Sequence, residues 1–145
     1  MTGRKNINRG YMKLIVWQDA KMYYVLSCAT FRSFPYELKR VASQQIASVD
    51  SIHRNIAEGY CRRSLKEYLN FLNIALGSAG ESVSGLCVYR DAEQITRTQF
   101  EELDALAFKL ENGLKRLIES LQTKQQTGDW QDSFVVRESN TAYLS

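Results

Sequence analysis

The fold is decided by the stretch Asn55-Ile56-Ala57-Glu58-Gly59-Tyr60-Cys61-Arg62-Arg63-Ser64-Leu65-Lys66-Glu67. It has the pattern of a helix end, a short basic corner and a new helix start. Gly59 can adopt the left-handed conformation that often closes a helix. Ser64 and Glu67 have the spacing of a capping box, in which each side chain bonds the backbone N–H of the other residue. The stretch therefore predicts two long helices that are antiparallel neighbours.

Apolar residues recur at helical spacing on both sides of this corner. The first helical segment runs from about Met12 to Arg32, and the second follows Pro35, which suits the first turn of a helix. The third runs from Ser64 to about Arg90. The fourth begins near Thr98, which forms a second capping-box pattern with Glu101. Four amphipathic helices with short links are typical of an up-down-up-down bundle.

The chain of 145 residues, 44% of them hydrophobic, is enough for one domain with a sizeable core. We predict an all-α, antiparallel four-helix bundle over residues 12–122. A flexible basic arm, residues 1–11, precedes it, and a polar tail, residues 123–145, follows it. Trp130 and its apolar neighbours in the tail either lie across the bundle or dock on a partner, and we expect them to dock within the oligomer.

Two features within the helical stripes need a packing explanation. Gln45 interrupts the apolar stripe of the second helix, so its amide must be hydrogen-bonded if it is buried. Gly77 and Gly80 lie inside the third helix, where each costs about 0.5 to 1 kcal/mol relative to alanine. With Ser84 they share one face, so we expect another helix of the same chain or of a second copy to pack there, with a ligand groove as the alternative.

Charge is distributed unevenly along the chain. Residues 1–63 contain 11 Lys and Arg against 4 Asp and Glu, whereas residues 64–145 contain 8 against 12, for a formal net charge of +3. A basic half can face phosphate, or it can pair with the acidic half of a neighbouring helix or subunit.

The composition excludes several classes of site. Cys28, Cys61 and Cys87 are widely spaced and have no companion histidine cluster, which indicates reduced thiols in a cytoplasmic protein rather than disulfides or zinc. Asp50 and His53 resemble half of a di-iron motif, but His53 is the one histidine in the sequence, so we expect no metal or other cofactor. No nucleophile and base are paired in the pattern, so we expect no enzymatic activity. The apolar run that begins at Leu14 reaches Gln18 and Asp19 too soon for a membrane span, so we expect no membrane insertion.

A family resemblance is carried by motifs in the second and third helices. They are Phe34-Pro35, Ser51-Ile52, Asn55-Ile56-Ala57-Glu58-Gly59 and Phe71-Leu72-Asn73-Ile74-Ala75-Leu76-Gly77-Ser78-Ala79-Gly80-Glu81. Over about residues 14–122 the chain resembles the four-helix-bundle family named for proteins encoded in intervening sequences of 23S ribosomal RNA genes. Accessory proteins of diversity-generating retroelements are similar to that family. The resemblance implies a ring-shaped homopentamer without known enzymatic activity, and the retroelement relatives are thought to bind nucleic acid and a reverse transcriptase.

Two sets of residues are candidates for a functional role. Basic and aromatic residues around the corner and in the arm could contact RNA or DNA, and ordinary solvated charge is the alternative. They are Arg4, Lys5, Arg9, Arg54, Tyr60, Arg62 and Arg63. A structural motif comprises Asn55, Glu58, Gly59, Gly77, Ser78, Gly80 and Glu81. Its polar members could form a site, or they could simply bond local backbone and, for Glu58, pair with Arg62 or Arg63.

These observations predict a non-enzymatic homo-oligomeric scaffold or accessory protein that contacts nucleic acid through its basic corner. The alternative is a protein-interaction module that recruits a protein partner without nucleic acid.

Overall fold

The computed structural model describes residues 7–128, which contain four α-helices, two short 3-10 helices and no strand. The α-helices are α1 (Ile15–Phe31), α2 (Lys39–Tyr60), α3 (Leu65–Asp91) and α4 (Arg97–Thr127). One 3-10 helix, Ile7–Lys13, precedes α1, and the other, Tyr36–Leu38, follows Pro35 and leads into α2. The all-α prediction is confirmed over this range.

The core lies between the four helices. Helix α1 packs on α2 and α4, and α3 packs on the same two helices from the other side. Side chains from every helix fill the space between them, and the largest that are fully buried include Tyr23, Phe31, Tyr60, Tyr68, Leu86 and Leu110. Each helix therefore buries a wide arc of its surface against two neighbours.

Helices α2 and α3 share the longest contact, and its register is visible in three places. Gln45 bonds Ser82, Ser51 bonds Ser78, and Gly59 lies against Tyr68. Residue numbers decrease along α3 as they increase along α2, so these two helices run antiparallel.

Gly59 does not close α2 in the predicted way. It lies inside the helix, and the described residues with positive φ are Glu93 and Gly128. A Cβ atom on Gly59 would lie 2.8 Å from the Cβ of Phe71 and 3.2 Å from the carbonyl oxygen of Tyr68. The prediction of a left-handed helix end was wrong, because glycine is present here to let α3 approach the α2 backbone closely.

The predicted helix starts were right for α3 and displaced for α4. The Ser64 hydroxyl accepts a hydrogen bond from the backbone N–H of Glu67 at 3.3 Å, which is one of the two bonds of the predicted capping box. The second is not formed, and the Glu67 carboxylate instead lies 3.7 Å from the Arg62 guanidinium. Helix α4 is instead capped by Thr96 and Gln99, which form both bonds of a capping box, at 3.0 and 2.8 Å. The pair Thr98 and Glu101 therefore lies within the helix, and its predicted capping role was wrong, because the turn before α4 ends two residues earlier.

Gln45 is buried and hydrogen-bonded, as its place in the apolar stripe predicts. Its Nε2 donates to the Ser82 carbonyl oxygen at 2.9 Å, and the Ser82 hydroxyl donates to the Ala79 carbonyl oxygen at 2.7 Å. The Tyr23 hydroxyl completes the network by donating to the Ser82 Oγ at 2.8 Å. Burial raises the pKa of Tyr23 to about 12. This network joins α1, α2 and α3 at one level of the bundle.

The two ends of the chain differ from their predicted boundaries. Part of the predicted arm forms the first 3-10 helix, where Tyr11 packs against Trp17 and Tyr60 with ring centroids 5.6 and 6.2 Å apart. Helix α4 continues to Thr127, five residues beyond the predicted end of the bundle. Trp130, in the tail, lies outside the described residues.

Candidate nucleic-acid interface and outer face of α3

At the corner between α2 and α3, Arg62 contacts two carboxylates and an aromatic ring. Its guanidinium lies 2.8 Å from the Glu58 carboxylate and 3.7 Å from that of Glu67, and it covers the ring of Phe71 at 5.1 Å. The pairing of Glu58 with Arg62 agrees with the local alternative given for this motif. Two carboxylates neutralise much of the Arg62 charge, which leaves it a weak candidate for binding phosphate.

Tyr60 cannot stack on a base in this structure. Its side chain is fully buried, between Tyr11 and Tyr68, with ring centroids at 6.2 and 6.0 Å. Tyr60 follows Ile56 by four residues, so both lie on the face of α2 that points into the core. Its assignment as a nucleic-acid contact was wrong for this reason.

The remaining basic candidates are found on the surface or outside the described range. Arg54 is 72% exposed and lies 3.6 Å from the Asp50 carboxylate, a loose ion pair. Arg9 and Arg63 are exposed, as is Lys66 just beyond the corner. Arg4 and Lys5 lie outside the described residues. The structure thus places Arg54 near the end of α2, Arg63 in the link to α3, and Lys66 in the first turn of α3.

A groove lies beside these residues, between the start of α1 and the end of α2. It has a volume of about 470 Å³ and is lined by Tyr11, Trp17, His53, Arg54, Ala57, Glu58 and Cys61. The sequence had suggested neither Tyr11 nor Trp17 as functional residues. Their position at the start of the first helix could have suggested this role. In the predicted bundle the first two helices are antiparallel, so the start of the first lies beside the end of the second.

His53 contributes to the same groove and is tied to its own helix. Its Nε2 lies 2.7 Å from the Asp50 carboxylate, and its ring meets that of Tyr24 edge-on at 6.0 Å. Within residues 7–128 no group of three or more metal-binding side chains comes together.

The polar motif residues of α2 and α3 meet along one seam. The Asn55 amide donates to the Ser51 carbonyl oxygen at 2.8 Å and to its hydroxyl at 3.0 Å, and that hydroxyl lies 3.0 Å from the Ser78 Oγ. Ser48 bonds the Ser78 carbonyl oxygen and the Glu81 carboxylate, at 3.3 and 3.1 Å. These groups bond each other and local backbone, so the seam joins two helices and leaves no obvious place for a ligand.

The outer face of α3, which we define by Ile74, Gly77, Gly80, Ser84 and Val88, is not covered by any of residues 7–128. All five residues are exposed, Ile74 by 44% and Val88 by 58%. A Cβ atom on Gly77 or Gly80 would meet nothing within 4 Å. The described part of the chain therefore supplies no helix to pack on these glycines.

Helix α3 is also unusually apolar for a surface helix. Within residues 7–128 it is the one helix long and apolar enough to cross a membrane by length and composition, although core helices of bundles pass that test too. Only 28% of its most apolar window is buried, and between Glu67 and Arg90 its one charged residue is Glu81. Within residues 7–128, two large apolar side chains of α3, Ile74 and Val88, thus remain open to solvent.

The comparisons with known proteins agree with this fold. The model of the 23S rRNA-intervening sequence protein family matches residues 12–116. A solved crystal structure is similar, that of a protein of unknown function from the S23 ribosomal protein family of Bacteroides thetaiotaomicron VPI-5482. Its identity to this chain is 26%, its TM-score is 0.66, and the match covers 72% of this chain and 98% of that one. A search of the curated proteins found no match. Since the family model spans most of its length, the chain belongs to the 23S rRNA-intervening sequence protein family.

Proposed function

We propose that this protein is a non-enzymatic scaffold, an up-down-up-down bundle that self-assembles through the outer face of α3 and contacts RNA or DNA with its basic corner. The observation that carries the proposal is the open, nearly uncharged surface of α3. The family resemblance noted in the sequence favours a ring of five copies. In such a ring the basic corner of each subunit is repeated around one axis.

Assembly explains the glycines of α3 better than the single chain does. Glycine in a helix interior costs stability, and small residues are favoured where two helix backbones approach closely. Gly77 and Gly80 lie on one face, where an added Cβ atom would meet no described residue within 4 Å, beside the exposed side chains of Ile74 and Val88. A second copy would cover both the glycines and the apolar side chains.

Nucleic-acid contact rests on charge around the corner. Arg54 and Arg63 are exposed there, together with Lys66. Each cation alone would bind phosphate weakly, but repetition in an oligomer multiplies weak contacts along one flexible polyanion.

Native mass spectrometry and light scattering of the full chain test the assembly. We expect a multimer for the wild type and a smaller species for Gly80→Leu, because leucine would hold the two backbones apart. Ala105→Leu, at an exposed position on α4, is the matched control and should leave the multimer intact. A monomeric wild type at micromolar concentration, or an intact multimer for Gly80→Leu, would refute this interface.

Filter binding with single-stranded RNA and duplex DNA across salt concentrations tests the corner. We expect binding that weakens steeply with salt, and that weakens further in the double variant Arg54→Gln, Arg63→Gln. Absence of binding at low salt would leave the alternative, a module that recruits a protein partner such as a reverse transcriptase. Binding that does not change with salt would contradict the phosphate mechanism.

A further inference from the structure

We infer that the groove between the start of α1 and the end of α2 holds an unpaired base of a single-stranded nucleic acid, with Trp17 as its stacking surface and Arg54 on the adjacent phosphate. The inference deepens the proposed nucleic-acid contact, on which it rests, by naming the strand type and the residues that select it.

The groove has the size and lining that a base requires. Its volume of about 470 Å³ is within the usual range of small-molecule sites and exceeds that of a single base. Tyr11 and Trp17 form one wall, and His53 and Ala57 lie on the other. Bases in single strands bind proteins mainly by stacking on aromatic side chains.

The part of Trp17 available to a ligand is its carbon surface. Its Nε1 is buried and has no hydrogen-bond partner among the described residues, while the side chain as a whole is only half-buried. The exposed indole can therefore stack but cannot donate a hydrogen bond without moving. Stacking tolerates every base, so we expect weak sequence preference.

The charges at the rim suit a backbone phosphate. Arg54 is 72% exposed and its ion pair with Asp50 is loose, at 3.6 Å. The one carboxylate that lines the groove, that of Glu58, is paired with Arg62 at 2.8 Å, which reduces its repulsion of an anion. A base in the groove would place its phosphate beside the exposed guanidinium of Arg54.

A second cavity is less suited to a base than the groove. It lies near the start of α4, has a volume of about 510 Å³, and is lined by Arg90, Glu93, Ile95, Arg97, Phe100 and Glu101. Its aromatic ring, Phe100, is already covered by the Arg90 guanidinium at 4.3 Å. Arg90 and Arg97 are each paired with a carboxylate, at 3.0 and 3.8 Å. The Phe100 ring is thus covered more closely than that of Trp17, over which the Lys21 Nζ lies at 5.9 Å.

The preference for single strands follows from the geometry of nucleic acids. Bases of a duplex are stacked on their neighbours and cannot enter a groove without being flipped out, which costs free energy. Duplex DNA can still contact Arg54 and Arg63 through its phosphates. The groove should thus separate the two ligands, whereas the corner charges serve both.

The inference is tested by measuring the affinity of the protein for an oligouridine and for a duplex of equal charge. We expect Trp17→Leu to weaken oligouridine binding about 5- to 150-fold, the range for loss of one stacked base, with duplex affinity unchanged. Trp17→Phe should retain most of the affinity. Tyr36→Leu, which removes a ring that is 87% exposed in the 3-10 helix before α2, is the matched control and should have no effect.

Two further measurements keep the test independent of folding defects. In a Trp130→Phe background Trp17 is the one tryptophan, and its emission should be quenched by oligouridine but not by an abasic strand of the same length. The abasic strand should also bind the unmodified protein more weakly than oligouridine. Equal binding of abasic and normal strands, or an unchanged affinity for Trp17→Leu, would overturn the groove and leave the corner contact standing. No binding of any strand would overturn both.

Discussion

Glycine lies on both the inner and the outer face of α3, but its surroundings differ between the two faces. On the inner side Gly85 faces the amide of Gln45, and α3 itself lies so close to α2 that Gly59 has no room for a Cβ atom. On the outer face Gly77 and Gly80 have nothing within 4 Å. The inner contacts explain why those positions are glycine, while no contact among residues 7–128 explains the outer ones. The difference supports the proposed self-assembly through the outer face of α3.

The largest effect is expected from Gly59→Ala. Its Cβ would overlap the Cβ of Phe71 and press on the backbone of Tyr68, so the two helices would have to separate. Overpacking of this kind costs about 3 kcal/mol at the upper end of its range, or about 10 °C in Tm for a chain of this length. Thermal unfolding followed by circular dichroism at fixed protein concentration measures it. A Tm within a degree of the wild type would show that the close approach of α2 and α3 is not required.

Gly85→Ala should cost less, about 2 kcal/mol, because its Cβ would meet a movable side chain. The nearest atoms are the Oε1 and Cδ of Gln45 and the Cε2 of Tyr89, and moving the Gln45 amide breaks its bond to the Ser82 carbonyl oxygen. Chemical denaturation of Gly85→Ala, Gln45→Ala and the double variant measures the coupling. We expect the double variant to be more stable than the sum of the two single losses implies. Strict additivity would contradict the contact.

Tyr23→Phe removes one inner hydrogen bond and should cost about 1 kcal/mol at neutral pH. The pH dependence is a sharper test. Because burial raises the pKa of Tyr23 to about 12 from its ordinary 10.0, the unfolded chain loses this proton first as pH rises. The contribution of Tyr23 is therefore complete below pH 10 and is lost between pH 10 and about 12. Between pH 10 and about 12, the unfolding free energy of Tyr23→Phe should therefore fall less steeply with pH than that of the wild type. Equal slopes for the two proteins would refute the raised pKa of Tyr23.

The smallest effect is expected on the outer face, and it has the opposite sign. Gly77→Ala meets no atom within 4 Å, so it should stabilise the separated chain by about 0.5 to 1 kcal/mol through helix propensity alone. Urea unfolding at a concentration where the protein is dissociated measures this gain. At higher concentration the added methyl should weaken self-association. A loss of stability in the dissociated protein would mean that this face is packed by the chain itself.

The sequence predicted most where local pattern decides and least where helices meet. An apolar stripe interrupted by Gln45 was enough to predict a buried, hydrogen-bonded amide. Its partner, Ser82, depends on the register of α2 against α3, which no local pattern contains. The α4 start shows a local ambiguity, since Thr96 with Gln99 and Thr98 with Glu101 have the same spacing. The preceding turn, in which Glu93 takes φ 58°, decides between them.

In the candidate site, too, some features follow from local sequence pattern and others only from the packing of helices. Gly59 was correctly singled out, but its role is set by the distance to α3 rather than by its own conformation. Tyr60 could have been recognised as buried, because it continues the stripe of Ile52 and Ile56 at a spacing of four. The groove at Trp17 could not be predicted from local pattern, since its two walls are 36 residues or more apart in sequence and become neighbours only through the packing of α1 on α2.

The buried network of Tyr23, Gln45 and Ser82 also has a consequence for how this family can vary. Its three side chains come from three different helices, but Gln45 bonds the main-chain carbonyl of residue 82, whereas Tyr23 bonds the Ser82 side chain. Replacing Ser82 with alanine would take the partner from the buried Tyr23 hydroxyl and would leave the Gln45 bond in place. Among relatives, residues 23 and 82 should therefore change together, while the Gln45 amide does not depend on the side chain at residue 82.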